Sequence, residues 1–299
     1  MKKPYKAISL PQFQRRFRTE AACRKHLFKL RWPEGFHCPN CGYNQYYELP
    51  KRRLYQCKSC KHQTSVTAGT VMHRSRTALK IWFWAIFLLA NDKRGLSALQ
   101  LSKKLQVSYY VAWTMLHKIR HGMADRDKIY ELKGLIEIDD SFFGGGSGAD
   151  KRGRGTRKTP VIIEASTNKD AVGFARMRVV KTMDKKTIQK VVTQDVAPNQ
   201  TIKTDGWRAY NVVKENGHQH QVEHASKSNQ TLKWVHILAS NAKAFLLGTF
   251  HGIDKKHLQE YLNEFCYRFN RKFWEKQLFD RLVTACALSK TITYAELTR

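Results

Sequence analysis

The apolar positions of this chain follow two periods in succession. From residue 77 to about residue 119 they recur three and four apart, the spacing that lines one face of a helix. From residue 134 short β-branched runs bounded by glycine, proline, asparagine and aspartate take over. Residues 77–91 read as one apolar helix, and its densest stretch, 81–90 (IWFWAIFLLA), is about half of what a bilayer span requires, so a buried helix is expected. After a break at Arg94-Gly95 a bihelical unit follows. Ser97 caps a helix through Leu99, Leu101 and Leu105, Gln106-Val107 makes the turn, and Ser108 caps a second helix carrying Val111, Ala112, Met115, Leu116 and Ile119. The second period predicts strands over 134–139, 160–165, 171–180 and 201–205 with a helix over 183–192 between the last two. Leu258, Tyr261, Leu262, Phe265 and Phe269 then form the stripe of an amphipathic helix, with Lys255, Lys256, Arg268, Arg271 and Lys272 on its basic side.

This pattern divides the chain into a helical segment over 1–30, a small ribbon over 31–72, a helix-turn-helix module over 73–130, an α/β domain over 131–285 and a tail over 286–299. The ribbon rests on cysteine. Cys38-Pro39-Asn40-Cys41 and Cys57-Lys58-Ser59-Cys60 are two CxxC pairs at the spacing of a structural zinc site. Four thiolates close a tetrahedral shell and leave no position for substrate, so the Zn²⁺ expected here is structural. Gly42 eases the turn after the first pair, residues 46–49 and 53–56 suit short strands, and His37 and His62 are bystanders. Cys23, Cys266 and Cys286 stand apart in apolar sequence, which argues for buried thiols rather than a disulfide framework.

Charge narrows the function. The 54 Lys and Arg against 24 Asp and Glu leave a formal +30, a field tolerated when a polyanion neutralises it. Nucleic acid is the expected partner, and no membrane contact is expected; the basic start (MKKPYKAISLPQFQRRFRTE) has no apolar run after it, which points to a cytoplasmic protein. On the second helix of the bihelical unit Tyr109, Tyr110, Thr114, His117, Lys118 and Arg120 form the set expected to meet a groove and its phosphates. Lys151, Arg152 and Arg154, in a glycine-rich basic run read as a mobile loop, are further candidates for DNA contact.

Against this background the acids stand out. The first predicted strand closes on Asp139 and the fourth on Asp205, 66 positions later (205 − 139). That distance allows two strands and a helix between them, so that both strand ends return to one place. Carboxylates so held suit two Mg²⁺ ions, which stabilise the entering and the leaving oxygen in phosphodiester attack. Each acid also has a plainer reading as a turn former, Asp205-Gly206 especially. The motif HQHQVEH, with His218, His220, Glu223 and His224, is weak evidence for a second metal site and reads better as a polar strand or loop.

The double CxxC ribbon, IEIDDSFFGG at 136–145, TDGWRAY at 204–210, WVHILASNAKAFLLGTFHG at 234–252 and KKHLQEYLNEFCYRFNRK at 255–272 together resemble the insertion-sequence transposases of the fifteen-ninety-five (ISXO2-like) family, within the DDE superfamily, over essentially the full length. The resemblance implies a ribonuclease H-like mixed-sheet core, Mg²⁺- or Mn²⁺-dependent cleavage at terminal inverted repeats, strand transfer into target DNA, and a homo-oligomer holding two element ends. Asp139 and Asp205 match the first two catalytic acids. For the third, the usual Glu is expected to be replaced by Asn241, five residues after His236, which itself matches a position near the active site; Lys243 matches the basic residue that follows. An amide oxygen ligates a hard cation without adding charge, and Asn241 equally suits the cap of a helix starting at Ala242. Glu137 and Asp140 are alternative ligands. A zinc-ribbon DNA-binding protein without catalysis, as a regulator or a decayed copy, and a ribonuclease H-like nuclease are the competing functions.

Overall fold

The computed structural model describes residues 7–144, 156–168, 171–223 and 232–299. They fall into two compact units, one of residues 7–126 with 273–299 and one of the described residues between 127 and 272.

In the first unit Ser9 and Thr19 cap α1 (Leu10–Arg16) and α2 (Glu20–Arg31), Ser9 in a reciprocal capping box with Gln12. A three-stranded antiparallel ribbon follows: β1 (Tyr46–Leu49), β2 (Leu54–Cys57) and β3 (Gln63–Thr64). The third strand had no signal in the sequence pattern, being two residues long. Aromatic rings join the ribbon to α2, Phe28 lying 5.1 Å from Tyr55 and Phe36 4.8 Å from Tyr46. The apolar helix α3 (Leu79–Asn91) has no local cap, since Ala78 precedes it. Instead the Glu20 carboxylate accepts hydrogen bonds from Leu79 N at 3.1 Å and Lys80 N at 2.8 Å. The bihelical unit forms as expected: Ser97 caps α4 (Ala98–Leu105), Gln106 turns the chain in the left-handed region at φ 52°, and the Ser108 hydroxyl accepts from Val111 N to start α5 (Tyr109–Asp127).

The second unit is built on a five-stranded mixed sheet. Its strands are β4 (Leu135–Phe143), β5 (Thr159–Asn168), β6 (Ala171–Val179), β7 (Thr201–Thr204) and β8 (Gln219–Val222), in the spatial order β6-β5-β4-β7-β8. The first three form an antiparallel meander, while β7 and β8 add parallel on the other side of β4. In chain order this is 3-2-1-4-5, a ribonuclease H-like arrangement. Alternation along β4 sends Ile136 and Ile138 to one face, where they pack with Ile188, Val191 and Val192 of α6 (Lys185–Asp195) and Val212 and Val213 of the short α7 (Val212–Glu215). Phe143, Val161, Ile163 and Ala165 point to the other face, under Val235, Leu238, Ala239 and Ala242 of α8 (Lys233–Phe250) and Leu258, Leu262 and Cys266 of α9 (Leu258–Phe269).

Two further helices, α10 (Leu278–Leu288) and α11 (Tyr294–Thr298), return to the first unit. The domain boundary expected at 285 therefore falls at 272/273. The reason is apolar: Phe279 packs 5.5 Å from Phe13 and 5.9 Å from Phe87, so α10 completes the core of α1 and α3. Among the described residues no helix is long and apolar enough to cross a membrane.

Candidate functional site

The four ribbon cysteines converge. Their sulfurs all lie within 4.8 Å of one another, with Cys38 Sγ and Cys60 Sγ, and likewise Cys41 Sγ and Cys57 Sγ, 3.6 Å apart. A tetrahedron with Zn–S of about 2.3 Å has edges of about 3.8 Å, so the set fits zinc with little adjustment. Each pair is closed by a residue in the left-handed region, Gly42 at φ 74° and Lys61 at φ 61°. The first was legible from glycine; the second was not. Cys23, Cys266 and Cys286 are buried single thiols.

The acids share one register offset. Leu135, Ile136 and Glu137 of β4 pair with Thr201, Ile202 and Lys203 of β7, an offset of 66 that equals the separation of Asp139 and Asp205. Continuing that register two residues reaches Asp139 on β4 and Asp205 just past β7, each two positions beyond the last paired residues, Glu137 and Lys203. Asp205 follows the last residue of β7, as expected, but Asp139 does not end its strand. β4 runs four residues further, to Phe143, because β5 continues the ladder through Phe142↔Pro160 and Phe143↔Thr159. What ends at this level is the parallel neighbour, and its end opens the edge of β4 beside Asp139. Both carboxylates are half-buried. Asp139 Oδ1 accepts from Asp140 N at 2.8 Å and Asp205 Oδ1 from Trp207 N at 3.1 Å, so the turn-forming role foreseen for Asp205 is realised.

Alternation puts Glu137, Asp139 and Ser141 on the face that carries α8. Glu137 Oε2 accepts from Trp234 N at 2.8 Å and Val235 N at 3.2 Å, and Lys243 Nζ donates to Ser141 Oγ at 2.9 Å. The helix thus runs along β4 from Glu137 to Ser141, with Asp139 between the two anchor points. Burial raises the pKa of Glu137, against the two backbone N–H groups and Lys203, which lower it. Its carboxylate is committed to the start of α8, which weakens its candidacy as a metal ligand. Burial, then the charge of Lys158, lowers the pKa of Lys243.

Asn241 lies nine residues into α8, in its interior. The capping role considered for it is therefore excluded, because the helix starts far upstream, at Lys233. At about 100° per residue, His236 and Lys243 fall within about 20° of each other around α8, whereas Asn241 stands about 160° from Lys243. The flank bound to β4 through Lys243 is that of His236. Both His236 and Asn241 are exposed.

Other candidates fare unevenly. Tyr109 and Tyr110 are open, 58% and 53% exposed, and Thr114 is half-buried. Lys118, Arg120 and His117 are 9%, 1% and 0% exposed, so the expectation that they decorate an outer face is corrected. The physical reason is that α5 packs all round beyond its second turn, Met115 to Arg120 being buried in succession. Lys151, Arg152 and Arg154 lie outside the described residues. In the histidine motif, His218 Nδ1 accepts from Gln200 N, His220 Nε2 bonds Thr204 Oγ1 at 2.7 Å and Glu223 pairs with Lys203; among the described residues they form no metal cluster.

Two family models match segments of the chain. Residues 131–270 match the ISXO2-like transposase domain and residues 18–63 the transposase zinc-ribbon domain. A relative from Halobacterium salinarum, described as an uncharacterized protein in transposable element ISH50, is 26% identical over 276 residues, spanning 84% of this chain and 91% of its own length. Among solved structures, the Mos1 strand transfer complex is 11% identical with a TM-score of 0.30, covering 71% of this chain and 78% of that one. The mariner Mos1 paired end complex with Mg is 12% identical, also at 0.30, covering 70% and 79%. The chain thus carries, in this order, a segment similar to the transposase zinc-ribbon domain and a segment similar to the ISXO2-like transposase domain.

Proposed function

We propose that this protein binds the terminal inverted repeats of an insertion sequence, cleaves the DNA strand there with divalent metal ions, and transfers the freed 3′-hydroxyl into target DNA. The observation that carries the reading is the shared offset of 66 between the β4–β7 register and the two aspartates, with α8 lying across the same face. Bound Mg²⁺ or Mn²⁺ supplies stabilisation of charge on the attacking and leaving oxygens. Asp139 and Asp205 would hold the metal through hard carboxylate oxygens. Lys243, held by Ser141, keeps α8 in line with them.

α8 contributes the third group. Of the two candidates, His236 is favoured over Asn241, because it shares the flank of Lys243 and so lies toward the Asp139 side of the helix. Tyr109 and Tyr110, exposed at the start of α5, bind DNA together with the excess positive charge. Two element ends call for at least two copies of the chain.

The test is metal-dependent nicking of a duplex carrying the terminal repeat. Asp139→Ala and Asp205→Ala are each expected to lower nicking by several orders of magnitude while leaving duplex binding within a few-fold. Nicking that survives either change would move the active site elsewhere.

A further inference from the structure

The first unit holds a cleft of about 410 Å³ between residues 73–77, the middle of α5 and residues 291–294 just before and at the start of α11. Its cationic side is made by Arg74, Arg76 and Lys118, with His73 beside them, and its apolar side by Tyr110 and Tyr294, whose rings are 4.9 Å apart. No Asp or Glu lines it among the described residues. Lys118 is the decisive member. It is 9% exposed, and among the described residues it has neither an ion pair nor a hydrogen bond. Its stem is packed away and burial lowers the pKa of its ammonium, which an anion seated in the cleft would offset. The cations also feel one another: burial, then Arg74 and Lys118, lowers the pKa of His73. A charge cluster of one sign inside a cleft is a cost in the free protein and a source of affinity once an anion is present.

We propose that this cleft binds a single unpaired nucleotide of a DNA strand, its phosphate on Lys118 and Arg74 and its base against Tyr110 and Tyr294. The inference rests on the reading of the protein as a DNA-binding transposase and adds to it a cleft that shares Tyr110 with the helix-turn-helix contact and lies outside the aspartates. The volume decides between phosphate and nucleotide, since 410 Å³ lies within the range of small-molecule sites and far exceeds one phosphate group. The aromatic wall decides for a base, because every base has a face that stacks on a ring whatever its sequence. Position decides for DNA. Tyr110 is at once 53% exposed at the start of α5 and part of the cleft wall, so a strand tracked by α5 passes the opening.

Equilibrium dialysis at low salt with labelled thymidine 5′-monophosphate, inorganic phosphate and thymidine tests this on the full-length, zinc-loaded protein. The expected result is saturable binding of the nucleotide, weaker binding of phosphate alone, and weakest binding of the nucleoside. Lys118→Met keeps the side-chain stem and removes the charge; it is expected to weaken nucleotide binding by at least about tenfold, the loss of a charged hydrogen bond, while raising the melting temperature of the ligand-free protein. Tyr294→Ala is expected to bring nucleotide binding down to that of phosphate. Equal affinity of the wild type for nucleotide and phosphate would overturn the proposal, as would unchanged nucleotide binding in Lys118→Met. Nicking by the Asp139→Ala variant does not involve Lys118, so a failure of the transposase reading appears there and a failure of the cleft appears here.

Discussion

Two glutamates do the same work at long range. Glu20 caps α3 across 59 and 60 positions of sequence, and Glu137 caps α8 across 97 and 98. Neither helix has a capping side chain of its own, since Ala78 and Leu232 precede them. Each carboxylate meets the positive end of a helix dipole and fills two of its orphan N–H groups. Glu137→Ala is therefore expected to cost about 1–3 kcal/mol in urea unfolding. Glu137→Gln, which keeps one acceptor, is expected to cost less; an equal loss would mean that charge rather than acceptor geometry holds α8. At the third catalytic position, His236→Ala should raise the metal concentration needed for half-maximal nicking, whereas Asn241→Ala should leave it near the wild-type value. His236→Glu, which adds a hard negative ligand, should lower the Mg²⁺ requirement. A Mg²⁺ titration that moves with Asn241 and not with His236 would reverse the assignment.

At the scale of elements, β5 and β6 are tied to α6 by a buried charge cluster. Arg176 and Arg178 both bind Asp195 at the end of α6, Arg178 Nε reaching Oδ2 at 2.6 Å. Arg176 also donates to the carbonyl oxygens of Asp127 and Tyr130, fixing the strand-free entry to the unit. Glu164 lies in this cluster, fully buried, and its pKa is raised well above the ordinary carboxylate value, first by burial and then by the charge of Asp195. Burial pushes Asp195 up as well, but the Arg178 hydrogen bond and the two guanidinium charges outweigh it and lower its pKa. The sign for stability follows. A carboxyl that holds its proton more tightly folded than unfolded loses stabilisation as pH rises above 4.5, its ordinary value, toward its folded pKa. Glu164→Gln should flatten that decline and equal or exceed the wild type in melting temperature at neutral pH. Asp195→Asn leaves two guanidinium groups without their counter-charge and should cost about 3–5 kcal/mol. A Glu164→Gln protein that melts lower than wild type at every pH would show that the ionised form is the native one.

At the scale of the whole molecule, the ribbon depends on its metal and DNA binding on charge. The ribbon's strands are four, four and two residues long, too short to be stable by themselves. Zinc removal by a chelator should release metal and lower terminal-repeat binding while nearly sparing the far-ultraviolet helix signal. Unchanged binding would take the ribbon out of DNA recognition. With a formal charge of +30, duplex affinity should fall linearly on logarithmic axes as salt rises. A flat salt dependence would deny phosphate neutralisation its place in binding.

Local chemistry was legible in the sequence. The cysteine cluster follows from two CxxC pairs, and the bihelical unit from Ser97, Ser108 and the apolar spacing between them. What depends on separate stretches of chain meeting was decided by tertiary structure. Register alone put Asp139 and Asp205 the same two positions past the β4–β7 pairing while letting β4 run on to Phe143, and packing alone buried Lys118 and Arg120 on a helix whose polar residues had suggested an outer face. The flank of α8 that meets the sheet was likewise fixed by Glu137 and Ser141, about a hundred positions away. Periodicity records which faces of an element are apolar. It carries no record of which other element will cover them, because that choice is made by long-range burial and hydrogen bonding when the chain closes on itself.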